Sequence, residues 1–151
     1  PMHLAGYSLG GRLALGLLAA HPDRFSGATL IGTNPGLATE GDGTARRVGD
    51  ETWARQLEDQ GLDAFLDAWE SQPLFATQSP EQRRCQRHLR ARLDAPALAA
   101  ALRALGLAEM PDYRSRLAAL ELPVTLVAGE ADAKFAHLAR EMAGLLPAGQ
   151  V

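Results

Sequence analysis

The chain of 151 residues is poor in several things that define whole classes of protein. Cys85 is its one cysteine, so no disulfide can form within it, and the composition suits a reducing compartment. A single thiol on a helix is ordinarily a packing residue rather than a reactive one. Lys134 is the one lysine, and the formal net charge is -3. Binding to a phosphate backbone calls for a strongly basic surface, so nucleic acid is excluded as an expected partner. No apolar run approaches the roughly 20 residues that span a bilayer, and no membrane partner is expected. Pro1-Met2-His3-Leu4-Ala5 lacks the charged start and cleavage pattern of a secretory leader. A cytoplasmic location is the resulting expectation.

What is present is the composition of a globular domain, 46% hydrophobic and 22% charged. Residues 2–7 are short and mostly apolar, and they run through Ser8-Leu9-Gly10-Gly11 into an apolar helical stretch at residues 12–20. That stretch is apolar almost all round, the mark of a helix packed on several sides. His21-Pro22 stops it, since the residue before a proline is pushed out of the helical region. A second buried strand is expected at residues 28–32, which makes the first 33 residues a βαβ unit with parallel strands. A third strand follows at residues 124–128, between Pro123 and Gly129, with a helix at residues 134–146 behind it.

Residues 34–111 interrupt this α/β core with helical patterns at 44–60, 62–69, 81–93 and 97–107, and they read as a helical cap insertion. Ser79-Pro80-Glu81-Gln82 carries a sharp helix start: a serine cap, proline at the first helical position and glutamine at the third. Residues 112–151 return to the core and end as a further strand begins.

Gly6-Tyr7-Ser8-Leu9-Gly10 fits Gly-x-Ser-x-Gly, the strained strand-to-helix turn that lifts a serine hydroxyl above a sheet. Side chains at positions 6 and 10 would be expected to collide with neighbouring strand and helix. The Leu9 N–H, at the helix N-terminus, is then placed to donate to a developing oxyanion. The competing reading is a glycine-rich turn without catalysis, or a phosphate cradle, although no Gly-Lys-Ser/Thr follows.

A serine hydroxyl needs a histidine to take its proton and an acid to orient that histidine, in the chain order Ser, Asp or Glu, His. Asp132, in Gly129-Glu130-Ala131-Asp132 past the third strand, is the candidate acid, with Glu130 as rival. His3, His21, His88 and His137 do not occupy the place the histidine requires. It is expected beyond residue 151, and the second oxyanion donor upstream of residue 1. A three-stranded sheet with an open edge is expected to make the isolated chain poorly stable.

Beyond the elbow, Gly11-Arg12, Pro35-Gly36-Leu37, Trp69-Glu70-Ser71-Gln72-Pro73-Leu74-Phe75-Ala76, Gln82-Arg83-Arg84 and Gly129-Glu130-Ala131-Asp132-Ala133-Lys134-Phe135 together resemble one family. It is the α/β-hydrolase-fold synthase of menaquinone biosynthesis that makes 2-succinyl-6-hydroxy-2,4-cyclohexadiene-1-carboxylate. The resemblance implies a lyase that eliminates pyruvate without metal or organic cofactor, Ser8 removing a proton from carbon, Asp132 supporting the histidine and Leu9 N–H holding the enolate oxygen. It implies a small tricarboxylate substrate held by Arg12, Arg46 and Arg90, beside Tyr7, Trp69 and Phe75.

Without that likeness, the cap arginines read as surface charges, the row Arg83, Arg87 and Arg90 as a solvent face, and Trp69 and Phe75 as core aromatics. A hydrolase of esters or carbon–carbon bonds, or a non-catalytic binding domain on the same fold, remain the alternatives.

Overall fold

The computed structural model describes residues 1–151. The chain divides into two compact units, one built from Pro1–Asp42 with Met110–Val151, the other from Gly43–Glu109.

In the first unit, β1 (Met2–Tyr7), β2 (Phe25–Ile31), β3 (Val124–Val127) and β4 (Gly149–Gln150) form a four-stranded sheet in that order. Every pairing is parallel. Tyr7 pairs with Ile31 and Ile31 with Val127, so the first three strands finish level at one rim. Helices α1 (Leu9–Ala20), α5 (Arg114–Leu117) and α6 (Ala133–Leu145) pack apolar faces around it. Leu15, Leu18, Leu30, Leu117, Val124, Leu126 and Met142 make the core.

Two expectations needed correction here. The second strand begins at Phe25 rather than residue 28, because Phe25-Ser26-Gly27 extends the ladder although it lacks a continuous apolar run. Helix α1 buries Gly11, Ala14, Leu15 and Leu18 and leaves Leu13 and Leu17 exposed, so within these 151 residues one side of it is packed rather than several. β1 is the edge strand and is largely exposed, with Met2 and Tyr7 open to solvent.

The second unit is helical: most of α2 (Glu40–Glu70), then α3 (Pro80–Arg90) and α4 (Ala95–Ala104). The long run of α2 is broken at Gly61, whose φ of 81° and ψ of 177° suit only glycine. The two helical segments read from the sequence on either side of this residue therefore meet end to end. The predicted cap of α3 is present in full, with Gln82 N–H donating to Ser79 Oγ at 3.2 Å and Ser79 N–H donating to Gln82 Oε1 at 2.8 Å.

Its core is Leu57, Phe65, Leu66, Ala54 and Ala99, with Trp53, Leu62, Trp69, Leu98 and Leu102 against it. Of the arginine row on α3, Arg83 is exposed, but Arg87 and Arg90 are not on a solvent face. Arg87 pairs with Asp63, Asp67 and Glu70 of α2, and Arg90 with Glu70. Three acids spaced four and three apart on α2 meet two bases three apart on α3, with Glu70 shared between both arginines, and the pairs tie the helices together.

Candidate active site

Ser8 is the feature around which the core site is built. It is the one non-glycine residue with positive φ, at φ 51° and ψ -110°. A β-carbon in that region is strained by about 1–3 kcal/mol, a strain that persists only where surrounding structure enforces it. Enforcement comes from both sides: Ser8 N–H donates to Ile31 O at 2.9 Å, and Ser8 O accepts from Arg12 N–H at 3.1 Å, the first bond of α1.

A serine at this helix-capping position ordinarily turns its hydroxyl onto the first-turn amides. Ser8 makes no such bond. Its exposed hydroxyl is left for other chemistry, and the N–H groups of Leu9, Gly10 and Gly11 have no acceptor within the helix, so the turn carries a concentration of donors and the positive end of a helix dipole.

The glycines around this turn divide differently from the expectation. A Cβ at Gly6 would lie 2.5 Å from Gly10 O and 2.7 Å from Gly11 N, both backbone. One at Gly10 would meet nothing within 4 Å. The second tight position is Gly11, where a Cβ would fall 1.9 Å from Oγ1 of the buried Thr33. Thr33 was missed in the sequence; only its place just past β2 hints that it packs against the elbow helix. We expect Gly6→Ala to destabilise the whole protein by about 3 kcal/mol in denaturant unfolding, since backbone cannot yield as a side chain does. Gly10→Ala should be neutral or slightly stabilising.

Asp132 stands past β3 at the same rim. It is the cap of α6, its Oδ1 accepting from Phe135 N–H at 3.1 Å, and its own N–H donates to Gly129 O at 3.0 Å. The carboxylate is therefore fixed through one oxygen while the other is uncommitted. Glu130, the rival acid, lies exposed within that turn. Ser8 and Asp132 follow strands two places apart in the sheet, a spacing of roughly 10 Å between strand axes. His137 is exposed on α6, and His3 sits on β1 with Nε2 2.9 Å from Thr29 Oγ1.

Tyr7 is 72% exposed, its ring 3.6 Å from where a Cβ on Gly32 would be, and Gly32 has a φ of 53°. Arg12 is half-buried on the first turn of α1 with Nη1 3.9 Å from Met110 Sδ. Arg114 ties the rim loops together, donating to Gly36 O at 3.0 Å, Asp112 Oδ1 at 2.8 Å and Glu141 Oε1 at 2.6 Å. The Glu141 hydrogen bond above all raises its pKa further above the arginine range.

The remaining predicted residues lie in the helical unit. Arg46 Nε donates to both oxygens of Asp50, at 2.8 and 2.9 Å. Arg90 sends one terminal nitrogen to Glu70 Oε1 at 2.9 Å and the other to Gln86 Oε1, with its guanidinium 4.9 Å from the centre of the Phe75 ring. Trp69 belongs to a cluster with Trp53, Phe65 and Phe75 at ring separations of 5.4, 5.7 and 6.3 Å. Phe75 is buried. One turn beyond Arg47 on α2, hydrogen bonds from Arg103 and then Arg55 pull the half-exposed Glu51 carboxyl down to about 2.

No group of three or more His, Cys, Asp or Glu is placed to hold a metal ion. No helix is long and apolar enough to cross a membrane.

Comparison with known proteins places this geometry. The chain is 38% identical to the 2-succinyl-6-hydroxy-2,4-cyclohexadiene-1-carboxylate synthase of Salmonella newport (strain SL254), over 93% of its own length and 56% of that protein's. It thus spans little more than half the length of the curated relatives it matches. The solved structure of MenH from S. aureus superposes with a TM-score of 0.90 at 34% identity, across 97% of this chain and 56% of that one. A thermophilic esterase from Thermogutta terrifontis superposes with a TM-score of 0.73 at 26% identity, across 99% of this chain and 54% of that one. The family described as alpha/beta hydrolase fold matches residues 1–151, from the strand that feeds the strained serine to the strand beyond α6, and the chain belongs to it.

Proposed function

We propose that the whole protein is a lyase that eliminates pyruvate from 2-succinyl-5-enolpyruvoyl-6-hydroxy-3-cyclohexene-1-carboxylate, giving 2-succinyl-6-hydroxy-2,4-cyclohexadiene-1-carboxylate for menaquinone. The observation that carries this reading is the Ser8 hydroxyl held off its own helix at a strained turn, in a chain 38% identical to synthases of that name. A cytoplasmic setting accords with the exposed, unpaired Cys85.

The difference between the two ring systems dictates the chemistry. A proton leaves the ring carbon that bears the succinyl ketone, and its electron pair becomes a ring double bond. The existing double bond moves one position along, the carbon–oxygen bond to the enolpyruvoyl group breaks, and the departing enolate takes up a proton as pyruvate. The step needs a base at carbon and a donor for the ketone oxygen as it becomes an enolate. Ser8 Oγ, relieved of its proton by a histidine, is the base, and Leu9 N–H is the donor.

Asp132 fixes that histidine. An imidazole hydrogen-bonded at both ends spans about 8 Å from oxygen to oxygen, a gap that suits side chains reaching inward from strands roughly 10 Å apart.

Three substrate carboxylates must be neutralised on leaving water. Arg12, Arg46 and Arg90 are assigned to them by the family likeness, and a guanidinium meets a carboxylate through two parallel bonds, each contributing about 1.5–3 kcal/mol. Tyr7, Trp69 and Phe75 are assigned to the apolar parts of the substrate on the same ground.

The whole protein, given the enolpyruvoyl substrate in the presence of a chelator, should release pyruvate in step with the absorbance of the conjugated diene. No pyruvate above the uncatalysed rate would end the proposal. The likeness to an esterase supports a second reading, ester hydrolysis, which predicts turnover of simple aryl esters and no pyruvate.

A further inference from the structure

The two cap arginines assigned to carboxylates are held differently, and the difference turns on a buried acid of α2. Arg90 has both terminal nitrogens engaged, on Glu70 and Gln86, and its guanidinium carbon sits over the Phe75 ring. Arg46 is held only through Nε, by both oxygens of Asp50, and its two terminal NH2 groups have no partner. Arg46 is 43% exposed, whereas Asp50 is 8% exposed at its side chain.

A carboxylate that deeply buried is stable only when its charge is answered, and Arg46 is the cation that answers it. The seat is specifically made: a Cβ on Gly106 would lie 2.5 Å from Asp50 Oδ2, so only glycine at 106 leaves the carboxylate its place beneath α4's end. Asp50 also follows Arg46 by one helical turn on α2, which sets the pair's spacing. Latching a guanidinium by its Nε edge fixes the plane and leaves its opposite, two-pronged edge open, the edge that meets a carboxylate bidentately.

We propose that Asp50 is a positioning residue: it locks the plane of Arg46 so that the Nη1/Nη2 fork is presented, already ordered, to one carboxylate of the substrate. The inference deepens the lyase reading and rests on it. Ordering the fork in advance removes side-chain entropy that would otherwise oppose binding, so the effect falls on substrate affinity rather than on the chemical step. Asp50 touches no substrate atom.

The test uses the whole protein. Asp50→Asn keeps an acceptor oxygen but loses the charge, and should raise KM about tenfold, with kcat within about twofold of the parent, as loss of one ordered charged contact does. In an Arg46→Ala background the same change should leave KM within about twofold, because Asp50 acts only through Arg46. Arg46→Lys, which keeps a cation beside the buried Asp50, should lose as much affinity as Arg46→Ala, since an ammonium has no fork. An unaltered KM in Asp50→Asn, an equal rise with Arg46 absent, or parental KM in Arg46→Lys would each overturn the proposal.

A wild-type protein that releases no pyruvate would remove the lyase reading and the substrate carboxylate with it. The latch is then judged separately by nitrogen-15 NMR: a slowly exchanging Arg46 Nε–H resonance, lost in Asp50→Asn, upholds it, and rapid exchange in the wild type refutes it.

Discussion

Ser8→Ala in the whole protein should lower pyruvate release by about 10⁴-fold, the usual consequence of disabling a triad, while KM and the far-UV spectrum stay close to the parent's. The strained backbone adds a second, thermodynamic side to this expectation. Alanine keeps the β-carbon and therefore keeps the strain at φ 51° and ψ -110°. Glycine removes it, so Ser8→Gly should be as inactive as Ser8→Ala yet more stable than that variant by about 1–3 kcal/mol. Equal unfolding free energies for the alanine and glycine variants would mean that no strain resides at the turn. Activity surviving in both would remove the hydroxyl from the mechanism.

At Asp132 the proposed catalytic role and the observed capping role can be separated just as cleanly. Asparagine retains the oxygen that accepts from Phe135 N–H, and asparagine and aspartate cap helices about equally well. Asp132→Asn should accordingly unfold at the parental midpoint while turnover falls by about 10⁴-fold, because an amide no longer holds the histidine in its working tautomer. Asp132→Ala should lose that activity and about 1 kcal/mol of stability besides, from the vacated cap. Parental turnover in Asp132→Asn with loss in Glu130→Gln would transfer the acid's role to Glu130.

Much of the core was legible because its elements are set by local chemistry. The strand and helix at residues 2–20 follow from an apolar run, a Gly-x-Ser-x-Gly turn and a stop at His21-Pro22, and both are found, with Ser8 at positive φ between them. The cap of α3 followed from Ser79 and Gln82, whose side-chain oxygens each accept from the other's backbone N–H. The break in α2 was marked by Gly61 itself.

What was not legible depends on partners distant in the chain. The pattern could not say which glycines are tight, since the obstacle at Gly11 is Thr33, brought there by β2. Nor could it say that Arg87 faces three acids of α2, since each row alone looks like a solvated stripe. Asp50 resembles any surface acid until Gly106 and Leu102, more than fifty residues later, close over it. Its one sequence signal is Arg46 a turn earlier. Trp69 and Phe75 read as core aromatics on their own and as substrate residues through the family likeness; the ring cluster accounts for the first role and leaves the second to experiment.

The pairing of β2 with β3 also bears on how the molecule is made. Ile31 and Val127 are neighbours in the sheet, yet the whole helical unit Gly43–Glu109 is strung between them. Joining those strands in an unfolded chain requires closing a very long loop, and the entropic cost of closure grows with its length. Helices form from near neighbours and need no such closure. If the inserted unit collapses first, the open chain left to be closed shrinks to about a quarter, and the barrier to sheet assembly falls by about 1 kcal/mol. Kinetics therefore favours a route on which the insertion matures early and the sheet is completed last, so the rim bearing Ser8 and Asp132 takes its final form at the end of folding.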